Sequence, residues 1–158
     1  MSTPTHESEF FQAVARRNIP RIRVAAIVIQ DGHLLAQRPA DDPTACYALI
    51  GGEYEMGDTF ESRIRTEIEE ETNARVLATE YRFVVENRFR YDGQLIQSVE
   101  HYLEVTLDRK GIASRESHLT QHWLPLGSLM NIDLRPAVVR EALASGAYKT
   151  VRHLAVPD

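Results

Sequence analysis

Cysteine and long apolar runs are scarce in this sequence of 158 residues. Cys46 is the only cysteine, so no disulfide bond can form within the chain. Such cysteine usage is typical of proteins in a reducing compartment, and we expect a cytoplasmic location. No apolar run approaches the roughly 20 residues of a membrane-spanning helix, and the polar N-terminal residues lack a signal-peptide pattern. The sequence therefore predicts no membrane partner.

Positive charge is also in short supply. The chain carries 18 Lys and Arg residues against 23 Asp and Glu residues, which gives a formal net charge of −5. This balance argues against a nucleic-acid backbone as the partner. It does not argue against a nucleotide, because a bound cation supplies local positive charge. The length and the 43% of apolar residues fit one globular domain.

Carboxylates are concentrated in the stretch that follows the glycine pair Gly51-Gly52. Glu67, Glu70 and Glu71 have the spacing i, i+3 and i+4, which places them on one face of a predicted helix. Like charges at this spacing destabilise a helix, and a divalent cation between them would relieve the repulsion. Carboxylate oxygens suit Mg²⁺ or Mn²⁺. The alternative interpretation is a solvated acidic face.

The spacing within this stretch resembles the Nudix box, G-x5-E-x7-R-E-U-x-E-E-x-G-U, where U is a bulky aliphatic residue. The residues that match the pattern are Gly52, Glu67, Ile68, Glu70 and Glu71. The residues that depart from it are Asp58 for Glu, Thr66 for Arg, Asn73 for Gly and Ala74 for the last aliphatic residue. The chain is thus similar to the Nudix (MutT-like) hydrolase superfamily, with a degenerate box. The resemblance implies an α/β protein, a Nudix-type α/β/α sandwich with a mixed β-sheet between helices.

The departures affect how the box is held together. In the family, the box arginine and the first glutamate brace the loop against the helix, and Thr66 cannot provide the bidentate fork of an arginine. Asp58 is also a candidate N-cap, because D58-T-F-E61 fits a capping box. Asn73 fits the left-handed position that often ends a helix. We predict the box helix from Thr59 to Thr72.

The rest of the chain is predicted from hydrophobic periodicity and turn signals. We divide it into an N-terminal helical arm (1–20), a Nudix domain (21–146) and a C-terminal tail (147–158). Asp31-Gly32 and Asp92-Gly93 predict type I′ hairpins. The predicted strands cover 21–30, 33–38, 47–50, 74–85, 87–91, 95–107, 123–126 and, in the tail, 153–156. The predicted helices outside the box cover 7–17 and 136–145, the latter with Gly146 as its C-cap.

The resemblance implies an Mg²⁺-dependent hydrolase, with Mn²⁺ as the alternative ion. Its substrate would be a nucleoside diphosphate linked to another moiety, cleaved at the pyrophosphate bond. The metal ligands implied are the Gly51 carbonyl, Glu67, Glu70 and Glu71. The catalytic base is Glu70, Glu67 or, from a later strand, Glu100. The substrate-binding candidates are Arg38, Arg88 and Arg90, and relatives in the family often form homodimers.

Two other functions stay open at this point. Asp58 and Thr66 are compatible with a catalytically silent nucleotide-binding or sensor module on the same scaffold. A Nudix-fold isomerase acting on an isoprenoid diphosphate would need a cysteine as an acid–base group, and Cys46 precedes the box. A hydrolysis screen separates the first alternative from the hydrolase.

Overall fold

The computed structural model describes residues 3–150, which form two β-sheets and three α-helices. The strands are β1 (Arg21–Ile27), β2 (Ile29–Gln30), β3 (His33–Pro39), β4 (Gly51–Glu53), β5 (Val76–Tyr91), β6 (Gln94–Leu107) and β7 (Leu119–Pro125). The helices are α1 (His6–Arg17), α2 (Phe60–Glu71) and α3 (Ala137–Ser145), with 3₁₀ helices at Leu126–Asn131 and Ala147–Thr150. None of these helices, within the described range, is long and apolar enough to cross a membrane.

The first sheet is mixed, as predicted. Its strand order is β4-β1-β6-β5, in which β1 runs parallel to β6 while the other two pairs are antiparallel. The second sheet, β2-β3-β7, is antiparallel. The single strand predicted for 21–30 is divided at Val28, because the chain leaves the first sheet there and enters the second. The backbone of Val28 still pairs with Leu35, whose amide donates to its carbonyl at 2.9 Å.

Both predicted hairpin turns are confirmed by their backbone angles. Asp31 and Gly32 have φ of 49° and 73°, and Asp92 and Gly93 have φ of 48° and 76°. A type I′ turn requires positive φ at both central residues, which Asp-Gly provides at little cost. The second hairpin is longer than predicted, because β5 continues as one strand through two register shifts. This long β5–β6 ribbon carries the surface on which α1 packs.

The box helix α2 buries an isoleucine stripe against the first sheet. Ile64 and Ile68 are fully buried and pack with Val24 and Ala26 from one face of β1. Burying such a side chain stabilises the fold by about 1.5–3 kcal/mol. The opposite face of β1 packs in a second core, which includes Val139 and Leu143 of α3. Helix α2 is therefore held in a fixed orientation over β1 and β4.

Several boundaries differ from the predictions for local reasons. The N-cap of α2 is Thr59, not Asp58, because Thr59 and Ser62 exchange hydrogen bonds at 2.9 and 3.0 Å. The short strand predicted at 47–50 forms at Gly51–Glu53 instead, where β4 pairs with β1. Strand β7 starts at Leu119, four residues before the predicted Trp123. The predicted strand at 153–156 lies outside the described residues.

The N-terminal helix α1 packs on the body of this same chain. Phe11 contacts the rings of Phe89 and Tyr91 at centroid distances of 5.4 and 4.7 Å. Near the end of α1, Arg17 forms an ion pair with Glu53 of β4, with one nitrogen–oxygen distance of 2.8 Å. The predicted helix at 7–17 is confirmed. Its contacts place it beside the hairpin and the end of β4.

Candidate functional site

Gly52 and Glu67 make the closest contact between strand β4 and helix α2. Gly52 lies opposite Val24 in the sheet. A Cβ atom built on Gly52 would lie 1.9 Å from Oε1 of Glu67. Only glycine leaves room for this carboxylate, and the requirement is steric, since Gly52 does not have a positive φ. The match of Gly52 to the box thus has a physical reason in this chain.

Glu71 lies one helical turn beyond Glu67 and carries an unpaired buried oxygen. Its Oε2 atom is buried and has no hydrogen-bond partner among residues 3–150. Burial raises the pKa of Glu71 to about 8, and the neighbouring Glu67 adds to this increase. A hydrogen bond from Gln37 and the charge of Arg23 act in the opposite direction. A buried carboxylate without a full set of donors is typical of a cation site.

Arg63 connects the loop after β4 to the helix. Its Nε donates to Oδ2 of Asp58 at 2.8 Å, and its Nη1 donates to Oε1 of Glu67 at 3.2 Å. Its Nη2 donates to Glu55 at 3.1 Å. Burial has the larger effect and raises the pKa of Glu67, while the hydrogen bond and the charge of Arg63 act to lower it. Arg65, one position from Thr66, pairs instead with Glu61 at 2.7 Å.

Glu100 lies on β6 within a buried hydrogen-bond network. It is 3% exposed, and its Oε1 accepts from Arg23 at 3.4 Å, Asn87 at 3.3 Å and Ser98 at 2.9 Å. Its Oε2 accepts from the Tyr102 hydroxyl at 2.6 Å. Burial acts to raise the pKa of Glu100, but Arg23 and these hydrogen bonds outweigh it, so the pKa is lowered. The arrangement is that of a structural carboxylate, and its role as a base stays a prediction.

The remaining predicted side chains lie around this centre. Glu70 is exposed and forms no hydrogen bond or ion pair with residues 3–150. The guanidinium of Arg38 lies over the Tyr47 ring, 4.9 Å from its centroid. Arg88 and Arg90 are exposed on β5, and Arg90 donates to the Gly93 carbonyl in the hairpin turn. Within the described residues, no hydrogen bond or ion pair joins these arginines to the box glutamates.

The other altered box positions have different environments. Thr66 is exposed. Asn73 is not in the left-handed conformation, so that prediction is wrong; the helix ends through an extended Thr72. Asn73 instead holds the loop at 111–113, because its side chain donates to the Gly111 carbonyl at 3.1 Å and accepts from the Ala113 amide at 2.9 Å.

Burial raises the pKa of the Cys46 thiol, which leaves it a poor thiolate nucleophile.

The glutamate pair has the chemistry of a magnesium site. Within residues 3–150, no group of three or more His, Cys, Asp or Glu side chains is arranged to hold a metal ion by itself. Mg²⁺ commonly keeps several waters and binds through one or two carboxylates together with substrate phosphates. Glu67 and Glu71, with the buried Oε2 of Glu71 unpaired among residues 3–150, meet this smaller requirement. The residues present therefore fit the ion.

Sequence reasoning missed three side chains that define the site. Gln37 and Arg23 come from strands, and the alternation of polar and apolar residues gave no signal that they approach Glu71. Arg63 carried a signal, since it precedes Glu67 by four residues. That spacing alone is typical of a surface pair, but the Arg63 side chain is only 14% exposed. Its contact with Asp58 depends on the loop conformation, which the spacing alone does not specify.

Comparisons with known proteins agree with this geometry. Residues 19–145 match the family model of the NUDIX domain. No curated protein matches the chain. A MutT NUDIX hydrolase from Burkholderia pseudomallei has 22% identity and a TM-score of 0.64, with 84% of this chain and 99% of that chain covered. The MutT protein of Methanosarcina mazei Go1 has 17% identity and a TM-score of 0.66, with coverages of 83% and 97%.

A third structure has a different domain composition. It is a bifunctional NMN adenylyltransferase/ADP ribose pyrophosphatase from Francisella tularensis, with 20% identity and a TM-score of 0.62. The alignment covers 85% of this chain and 46% of that one. At such identities the solved structures show that the fold is shared, which confirms the predicted α/β architecture. Together with the family match over most of its length, this shows that the chain belongs to the NUDIX domain family.

Proposed function

We propose that this protein hydrolyses a pyrophosphate bond in a nucleoside diphosphate derivative, with Mg²⁺ as the cofactor. The observation that carries the proposal is the partly buried pair of Glu67 and Glu71: Glu67 lies against Gly52, and Glu71 has a buried oxygen with no hydrogen-bond partner among residues 3–150. A structural carboxylate pair would be satisfied by protein donors, as Glu100 is. The family match supports the reaction class.

The proposed metal ligands are Glu67, Glu71, Glu70 and the Gly51 carbonyl. A bound Mg²⁺ would neutralise the phosphates and lower the pKa of a water molecule. Glu71 has a pKa of about 8 without the ion, so binding the cation would displace a proton near neutral pH. Mn²⁺ has the same ligand preference and is the alternative ion.

We assign the base to Glu70 before Glu67 or Glu100. Glu70 is exposed and accepts no hydrogen bond from residues 3–150, so it is able to take a proton from a water molecule. Glu67 is held by Arg63, and Glu100 already accepts four hydrogen bonds. A carboxylate with a lowered pKa is also the weaker base, which disfavours Glu100.

The substrate phosphates would meet arginine side chains. Arg38 is the first candidate, and its guanidinium lies over the Tyr47 ring, 4.9 Å from the ring centroid. Arg88 and Arg90 are exposed on the β5–β6 hairpin and remain candidates. A homodimer and a cytoplasmic location remain predictions from the sequence.

A catalytically silent nucleotide-binding module is the second candidate. Its support is the exposed threonine at the position of the box arginine. Such a module would keep the glutamate pair and bind the metal and a nucleotide without turnover. The two functions differ in product formation, while both predict metal binding.

The experiment is a hydrolysis screen with Mg²⁺ and Mn²⁺. Nucleoside triphosphates, dinucleotide polyphosphates, nucleotide sugars and ADP-ribose cover the substrate classes. Glu70→Gln and Glu71→Gln should reduce turnover by at least about 100-fold, while Glu69→Gln, an exposed neighbour in the same helix, should not. Turnover by the wild type that survives both box substitutions would refute the assignment. Metal and nucleotide binding without turnover would establish the silent module.

A further inference from the structure

We propose that Arg63 is a positioning residue that braces the loop 54–58 against α2 and orients Glu67, in place of an arginine at position 66. The inference rests on the proposed function, since Glu67 is there assigned to the metal. Thr66 is exposed, and its hydroxyl has no charge with which to hold a carboxylate. Arg63 lies three residues earlier, on the same side of the helix.

The contacts of Arg63 join the loop to the glutamate. One guanidinium donates to Asp58 at 2.8 Å and Glu55 at 3.1 Å in the loop, and to Glu67 at 3.2 Å in the helix. Arginine can make these bonds together because its donors form a rigid planar fork. The side chains of Arg63, Asp58 and Glu67 are 14%, 18% and 13% exposed, so solvent screens this cluster less than a surface pair.

The atom that Arg63 holds is also the atom that fills the space over Gly52. Oε1 of Glu67 accepts from Arg63 and lies 1.9 Å from the Cβ position of Gly52. The carboxylate is thereby fixed from two sides, by a donor on the helix and by a strand with no side chain. Removing the donor leaves the space over Gly52 available but no longer keeps the carboxylate there.

The shorter carboxylate of Asp58 and the earlier position of Arg63 compensate each other in this geometry. Asp58 is one methylene shorter than glutamate, so it reaches less far towards the helix. An arginine at position 63 starts three residues, or about 4.5 Å, closer to the N-terminus of α2 than one at position 66. Helical side chains also lean towards the N-terminus. The earlier arginine therefore meets the shorter carboxylate.

The test measures Mn²⁺ affinity without substrate, by the electron paramagnetic resonance signal of the free ion. Thermal unfolding is measured on the same samples, and kcat and KM are measured with the substrate found in the screen. The variants are Arg63→Ala, Arg63→Lys, Thr66→Arg and the double variant Arg63→Ala/Thr66→Arg. Arg65→Ala is the matched control, because Arg65 also forms an ion pair on α2 but with Glu61.

Arg63→Ala should weaken Mn²⁺ binding by about 10- to 100-fold, as expected for a residue that orients a metal ligand. The double variant should recover only part of this loss, because an arginine at 66 leans back over the same turn but starts farther from the short Asp58. Arg63→Lys should recover thermal stability but not Mn²⁺ affinity, since one ammonium cannot replace the fork. In the enzyme, kcat should fall more than KM rises. Arg65→Ala should leave Mn²⁺ affinity unchanged.

Folded Arg63→Ala protein with the wild-type Mn²⁺ affinity would overturn the proposal. So would a double variant no better than Arg63→Ala, or a lysine variant that restores affinity and stability equally, which would indicate a purely structural ion pair. The proposed function fails separately: wild-type protein that binds Mn²⁺ and hydrolyses no substrate removes the hydrolase, while the ratio of Mn²⁺ affinities still decides the role of Arg63.

Discussion

The adjacent glycines of β4 should respond differently to substitution by alanine. We expect Gly52→Ala to lose metal affinity and Gly51→Ala to lose stability. In Gly52→Ala, the new Cβ would meet Oε1, Cδ and Cγ of Glu67 at 1.9, 2.1 and 2.7 Å. These atoms belong to the end of a flexible side chain, which can move away. Oε1 must retreat from 1.9 to at least 3.0 Å, a displacement of 1.1 Å or more. We expect Gly52→Ala to fold with a loss of under about 1 kcal/mol.

Gly51→Ala should damage the fold instead. Its Cβ would lie 2.5 Å from the Val24 carbonyl oxygen and 3.0 Å from the Ala25 Cα atom, both in the backbone of β1. Backbone in a paired strand cannot move without disturbing the sheet, so the free energy of unfolding should fall by about 1–3 kcal/mol. Gly127→Ala is the control, because nothing lies within 4 Å of its Cβ position and its φ is not positive.

The assay combines urea unfolding with Mn²⁺ titration. Gly52→Ala should lose at least about tenfold in Mn²⁺ affinity, because a ligand carboxylate has been displaced. Gly127→Ala should match the wild type in both measurements. Folded Gly52→Ala protein with unchanged Mn²⁺ affinity would refute the reasoning, since the position of Glu67 over Gly52 would then have no bearing on the ion.

Five further substitutions test the site. Glu71→Gln should raise the free energy of unfolding of metal-free protein at pH 9 by up to about 5 kcal/mol and change it little at pH 4. The folded pKa of about 8 lies above the usual 4.5, so the wild type should lose stability as the pH rises between these values; urea unfolding across this range that shows no such loss would contradict it. Glu100→Ala should destabilise the fold by about 3 kcal/mol, since Arg23 loses its buried partner. Its kcat should stay within about tenfold of the wild type, whereas loss of a catalytic base would cost roughly 100-fold or more in steady-state kinetics. Arg38→Ala, Arg88→Ala and Arg90→Ala should each raise KM with little change in kcat, and an arginine whose removal leaves KM unchanged does not contact the substrate.

The elements that depend on local sequence could be predicted. Asp-Gly pairs specify their turns through backbone angles, and both hairpins formed where Asp31-Gly32 and Asp92-Gly93 indicated. The isoleucine spacing of α2 selected its buried face, because Ile64 and Ile68 share one side of any helix. The glycine–glutamate spacing of the box corresponds to a contact in the fold: Gly52 and Glu67 meet through a strand, a short loop and a helix.

The features that depend on three-dimensional packing could not be predicted. The raised pKa of Glu71 depends on burial, which the helix spacing does not determine. The role of Arg63 depends on the loop that brings Asp58 beside it. Thr59 rather than Asp58 caps the helix, because Ser62 reciprocates its hydrogen bond. The predicted capping box paired Asp58 with Glu61 and so did not indicate this pair. Each of these outcomes is a choice between partners that only the folded chain brings together.

The parallel pairing of β1 with β6 has a consequence for the order of events during synthesis. It places Arg23 next to Glu100, 77 positions later in the chain. When α2 has just emerged from the ribosome, the whole glycine–glutamate segment has been synthesised. Strand β1 still lacks its neighbour β6 at that stage. Contacts between such distant segments form late and slow folding. The nascent chain should therefore acquire tight Mn²⁺ binding only after β6 has emerged, which ribosome-bound chains of increasing length would reveal.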